Sequence, residues 1–101
     1  MWMMVLFDLP VVTDSERKRA SAFRTFLLDE GFEMSQYSVY LKFVGERDKL
    51  MPYVKKIRSS APPSGNIAIL FFTDRQFSDT IFICNRNLAK TPEKPQQLML
   101  L

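Results

Sequence analysis

The apolar run MWMMVLF ends at a single acid, Asp8, with Leu9 and Pro10 directly behind it. A buried strand that finishes on a carboxylate, and is cut off by a proline that cannot extend a ladder, is a place where active sites are often built. The rest of the composition narrows the chemistry open to that acid. There is no histidine and one cysteine, Cys84, so neither a Ser-His-Asp nor a Cys-His nucleophile can be assembled and no intramolecular disulfide can form. Zinc-type ligand spacing is absent too, so any metal must be held by oxygen. Asp8 has a second reading, as a strand-end carboxylate that caps the turn before Pro10. Lys and Arg total 14 against 11 Asp and Glu, a net charge of +3 that favours a polyanionic partner, DNA or RNA. Arg17 and Arg24, with Lys18 and Arg19 beside them, are candidate phosphate contacts, and a solvated helix face diluted by Glu16, Asp29 and Glu30 explains them equally. Lys42 is a further candidate cation. Ser38 and Tyr40 are candidates for contact with a substrate or a partner protomer.

These residues need elements to position them. Residues 2 to 8 read as the first strand. Thr13 or Asp14 then opens a helix, Glu16 completes a capping box to Thr13, and Gly31 stops it, with Ala20, Phe23, Phe26 and Leu27 as the core stripe. MSQYSVYLKFV alternates and predicts one long strand, with Tyr37, Val39, Leu41 and Phe43 on one face and Gln36, Ser38, Tyr40 and Lys42 on the other. A second helix carries Leu50, Tyr53, Val54 and Ile57 inward and Lys49, Lys55, Lys56 and Arg58 outward, with Pro52 requiring a late start or a kink. NIAILFFT reads as a central strand covered on both faces, DRQFSD as a short turn of helix and TIFICN as a fourth strand.

The order is strand, helix, strand, helix, strand, short turn, strand. It predicts an α+β, ferredoxin-like sandwich of the βαββαβ type, an antiparallel sheet with both helices on one face. The expected division is a domain over residues 1–88 and a C-terminal linker with a short extra strand over 89–101, the strand being Leu98 to Leu101. Trp2, Met4 and Leu6 share the face of Asp8, opposite the helices, so that face predicts a homodimer packed sheet to sheet. The N-terminal apolar run is too short to span a bilayer and lacks the flanks of a signal peptide, so the expected location is cytoplasmic and away from membranes.

Three stretches, MVLFDLP, ERKRASAFRTFLLDEGFEMSQYSVY and SGNIAILFFTDRQF, resemble the small CRISPR-associated adaptation proteins of the Cas2 family, and GFxMxQxSVY is the most specific piece. The resemblance implies ferredoxin-like homodimers that bridge two integrase dimers during spacer acquisition and, in some members, cut phosphodiester bonds with magnesium. It places the family acid on Asp8. Many members carry tyrosine just before that acid, where this chain has Phe7 and therefore no phenol hydroxyl. One carboxylate is too few for Mg2+, which wants about six oxygens, but a two-fold axis can bring both Asp8 side chains to one ion. The alternatives are a non-catalytic scaffold of the integration complex and a ribonuclease toxin of the virulence-associated D type. An RNA-recognition module would need an RNP-type aromatic motif, which the chain lacks.

Overall fold

The computed structural model describes residues 1–95. The main sheet is built from β1 (Trp2–Asp8), β2 (Glu33–Gln36), β3 (Val39–Phe43) and β4 (Asn66–Phe72), with α1 (Asp14–Asp29) between β1 and β2 and α2 (Leu50–Ser60) between β3 and β4. Strand order is β2-β3-β1-β4, every pairing antiparallel, which is the ferredoxin-like βαββαβ arrangement. A short helix α3 (Asp74–Ser78) and a separate hairpin of β5 (Phe82–Cys84) and β6 (Asn87–Ala89) follow. The boundary expected at residue 88 thus falls inside β6, and the expected strand Leu98 to Leu101 lies outside the described residues.

The local signals around α1 act as expected. Thr13 is the N-cap: its hydroxyl accepts the Glu16 N–H at 3.1 Å while the Glu16 carboxylate accepts the Thr13 N–H at 2.9 Å. That backbone hydrogen bond, aided by the charge of Arg19, holds the Glu16 carboxyl below its ordinary range. A lowered carboxyl value stabilises the fold above the unfolded value, about 4.3, and the contribution is lost as pH falls through the lower folded value. Glu16→Gln is therefore expected to unfold at lower urea than wild type at pH 6, with the difference closing by pH 3. A gap that persists unchanged at pH 3 contradicts this. In α2, a 3₁₀ turn at Arg47–Lys49 delays the helix until Leu50, so Pro52 falls in the first turn, where its missing N–H has no intrahelical acceptor to satisfy.

Three expectations are corrected. The long strand is a hairpin: β2 and β3 are joined at Tyr37–Ser38, Ser38 adopts φ 64°, and a bulge between Met34 and Gln36 shifts the register so that Gln36 pairs with Val39. NIAILFF is an edge strand, not a central one; the doubly covered strand is β1. TIFICN contributes β5 to the separate hairpin, where Asn85 and Arg86 both take positive φ, the backbone of a tight two-residue turn.

Both faces of β1 are packed. Met3, Val5 and Phe7 join Phe23, Leu27, Tyr40 and Ile57 in the core beneath the helices. On the opposite face Trp2, Leu41 and Phe77 form a second cluster, flanked by Met4, Phe43, Phe72 and Phe82, so α3 and the hairpin cover one end of that face. The N-terminal ammonium donates to Gly45 O and to Asp74 Oδ1, both at 2.8 Å, and ties β1 to the start of α3. Among the described residues no helix is long and apolar enough to cross a membrane.

Candidate functional site around Asp8

The uncovered end of the open face is where Asp8 sits. β1 brings Met4 and Leu6 to half-buried positions on that face, and Asp8, the last residue of the strand, is exposed. Directly opposite Asp8 across the β1–β4 ladder is Asn66, and Ala68 and Leu70 continue the row opposite Leu6 and Met4. In such a pair the Cβ atoms lie about 5 Å apart, so a carboxylate and a carboxamide oxygen share one corner of the sheet.

Three connections meet at this corner. Gly65 precedes Asn66 with φ +106°, and a Cβ there would stand 2.8 Å from the Asp8 carbonyl oxygen and 2.8 Å from Leu9 Cδ2. Glycine permits the approach in two ways, by conformation and by size. Gly65→Ala is expected to cost roughly 1–3 kcal/mol, since backbone strain and overlap with backbone both oppose it; urea denaturation checks this, and a loss near zero contradicts it. The loop after Asp8 is fastened by Arg17, whose Nη1 donates to Val11 O at 3.1 Å and to Val12 O at 2.9 Å, while Nη2 pairs with the Asp14 carboxylate. At the third connection, the Phe7 N–H donates to Ser38 O at 3.1 Å and extends the β1–β3 ladder to the residue before Asp8.

The other residues singled out in the sequence lie elsewhere. Tyr40 is not on the open face: it is 2 % exposed in the helix-side core, its ring stacked on Phe7 at 5.7 Å. The face of β3 that carries Tyr40, semi-polar by sequence, is the one the helices cover, and Ser38 lies before β3 in the turn. Ser38 is a turn residue whose carbonyl meets β1. Lys42 is half-buried, its ammonium 5.3 Å from the Tyr53 ring centroid. Arg24 is half-buried, its Nη2 donating to the Tyr37 hydroxyl at 2.9 Å. Arg17 keeps 53 % of its side chain exposed. The structure thus brings Asp8 together with Asn66, Gly65 and the Ser38 carbonyl. It does not gather Arg17, Arg24 and Lys42 into one patch, since each engages a different neighbour. Asn66 and Gly65 were absent from the sequence-level candidates; the SGN triplet before an apolar strand marks a turn, and only the strand register shows that it faces Asp8.

Among the described residues no three Asp, Glu, His or Cys side chains come close enough to hold a metal ion. One chain therefore offers the Asp8 carboxylate and, opposite it on the ladder, the Asn66 carboxamide, hard oxygens of the right chemistry for Mg2+ and too few to complete its shell.

The fold and the site together define a small ferredoxin-like α+β domain with a solitary acid at the end of its first strand, beside a partly uncovered apolar face. The family model for CRISPR associated protein Cas2 matches residues 1–80, and the chain belongs to that family. A relative from Paracidovorax avenae is 41% identical over 100 residues, covering 99% of this chain and 93% of its own length. One from Flavobacterium psychrophilum is 41% identical over 100 residues, with 99% and 87% covered, and one from Ligilactobacillus salivarius is 34% identical with both chains fully covered. Each carries the name CRISPR-associated endoribonuclease Cas2.

Proposed function

We propose that this chain works in the cytoplasm as a homodimer in CRISPR spacer acquisition, binding nucleic acid, bridging integrase dimers, and cutting phosphodiester bonds with a magnesium ion held between two Asp8 carboxylates. The observation that carries the reading is the placement of Asp8: exposed, at a sheet corner, on the face whose apolar row of Met4, Leu6 and Leu70 the chain's own α3 and hairpin leave partly open. Packing two such rows together buries apolar surface and brings two half-sets of oxygen ligands toward one axis. The name shared by the relatives supports RNA as one substrate, and the positive net charge is compatible with DNA as another.

In this reading Asp8 binds the ion and Asn66 orients the carboxylate or adds a ligand. Bound there, Mg2+ would supply Lewis-acid polarisation of a scissile phosphate and acidify a water molecule. Gly65 lets β4 approach closely enough to present Asn66. Arg17, more than half exposed on the loop side of the corner, neutralises a substrate phosphate. The test is light scattering of the purified protein together with cleavage of single-stranded RNA and linear duplex DNA, with and without Mg2+. A dimer that cuts only with Mg2+ supports the proposal. A dimer that binds without cutting overturns the catalytic part and leaves the scaffold; a monomer overturns both.

A further inference from the structure

We propose that Arg24 is a positioning residue that, with Tyr37, clamps the β2–β3 turn and through it fixes the end of β1 that presents Asp8. The clamp itself rests only on geometry; its effect on cleavage rests on the function proposed above.

Arg24 lies in α1, on the helix layer, while Asp8 faces the other side of the sheet, so the arginine does not touch the acid. Its guanidinium carbon sits 4.9 Å from the Tyr37 ring centroid and 5.8 Å from that of Phe7, and Nη2 donates to the Tyr37 hydroxyl at 2.9 Å. Nε is buried with no conventional hydrogen-bond partner. A cation packed against two aromatic rings offsets part of the cost of that burial through the ring quadrupoles. From Tyr37 the connection is covalent and short. The next residue, Ser38, is held at φ 64°, and its carbonyl accepts the Phe7 N–H at 3.1 Å, one residue before Asp8. Ser38 is not glycine, so its left-handed conformation has a cost that its surroundings must offset. Tyr37 is 76% exposed, so the bond and ring contact of Arg24 are what tie it to the helix layer on one side, while the Phe7 N–H holds the Ser38 carbonyl on the other. Phe7 is itself wedged between Arg24, Phe23 at 5.2 Å and Tyr40 at 5.7 Å, so its ring and its backbone are both fixed.

Lysine keeps the charge of Arg24 but cannot stack as a plane and donate to the hydroxyl at once. Phenylalanine at position 37 keeps the ring and loses only the hydroxyl. The experiment follows amide hydrogen exchange at Phe7 against the central amides of β1 in wild type, Arg24→Lys, Arg24→Leu and Tyr37→Phe, and in parallel measures single-turnover cleavage and nucleic-acid affinity at several salt concentrations. Phe7 exchange should accelerate about tenfold or more in both Arg24 variants relative to the central amides, and less in Tyr37→Phe, because a local opening is released without global unfolding. Cleavage should fall roughly ten- to a hundred-fold at saturating substrate, with affinity within about twofold, as expected for a displaced catalytic group. Unchanged Phe7 exchange in Arg24→Lys and Arg24→Leu overturns the clamp. If affinity and its salt slope fall in those variants while exchange stays fixed, Arg24 is a phosphate contact instead. If wild type cuts nothing, accelerated exchange at Phe7 still supports the clamp while the reading of Asp8 fails, so the two are separable.

Discussion

Asp8→Asn is expected to lower Mg2+-dependent cleavage by about a hundredfold or more while leaving the dimer and its nucleic-acid affinity intact. The size of the effect follows from the arithmetic of symmetry. Each chain supplies one carboxylate to the corner, and among the described residues no cluster of three ligands stands in reserve. In the proposed dimer one substitution in the gene therefore removes both charged ligands of the ion, a larger change than losing a supporting residue around a metal, which typically costs 10- to 100-fold. Asparagine keeps the shape and a carbonyl oxygen, and Asp8 is exposed, so folding has little reason to change. The measurement is a Mg2+ titration of single-turnover cleavage on single-stranded RNA and duplex DNA, after light scattering has matched the two proteins. Mixed dimers with one altered chain should fall between the two. Equal cleavage by wild type and Asp8→Asn would make the acid a turn cap before Pro10.

The largest expected loss of stability comes from Trp2→Ala. Trp2 is 6% exposed on the face opposite the helices. Its ring stacks on Phe77 of α3 at 4.1 Å and 17°, and meets Phe43 edge-on at 5.4 Å. It is the residue of β1 that faces both Phe43 of β3 and Phe72 of β4 across the ladders. Truncation leaves a large hole in a small cluster, and such aromatic-to-alanine changes cost about 3–5 kcal/mol. In a domain of this size that corresponds to a drop in Tm of more than about 10 °C. Because α3 is a five-residue helix with little stability of its own, its contacts should fail first. Limited proteolysis is then expected to cut near residues 73–80 before the rest of the chain unfolds. A loss below about 1 kcal/mol would mean that the cluster can collapse around the hole.

What could be read in the sequence depended on how local its cause was. Thr13, Glu16 and Gly31 specify α1 within a single helix, and its start and stop fall where those residues place them. Asp8 after an apolar run gave the strand end correctly because Pro10 acts on its immediate neighbours. The β2–β3 hairpin is hidden for a physical reason: each arm keeps its own alternation, the parity flips only at the turn so that Gln36 shares a face with Val39, and Ser38 takes the left-handed conformation without the glycine or asparagine that would announce it. Within β3 the alternation holds, Tyr40 lying on the face opposite Val39 and Leu41, but alternation does not tell which face the helices cover, and Tyr40 is on the covered one. Periodicity is equally silent on whether a strand is central or at an edge, so β4, apolar on both sides, was misplaced. Asn66 and Gly65 belong to the site only through strand register, and Arg24 joins it only through Tyr37; neither relation is written in neighbouring residues.

The two borders of the main sheet are unlike. β2 is four residues long, interrupted by a bulge and charged at Glu33, features that discourage another strand from joining. β4 presents NIAILFF, seven residues with no charge and no proline, the composition of a segment that recruits strands readily. If two copies joined through this border, each would use up the inviting border of its main sheet, and the paired sheet would end in β2 on both sides. In the language of polymer chemistry the main sheet is a unit with one reactive end, and such units make pairs where those with two make fibres.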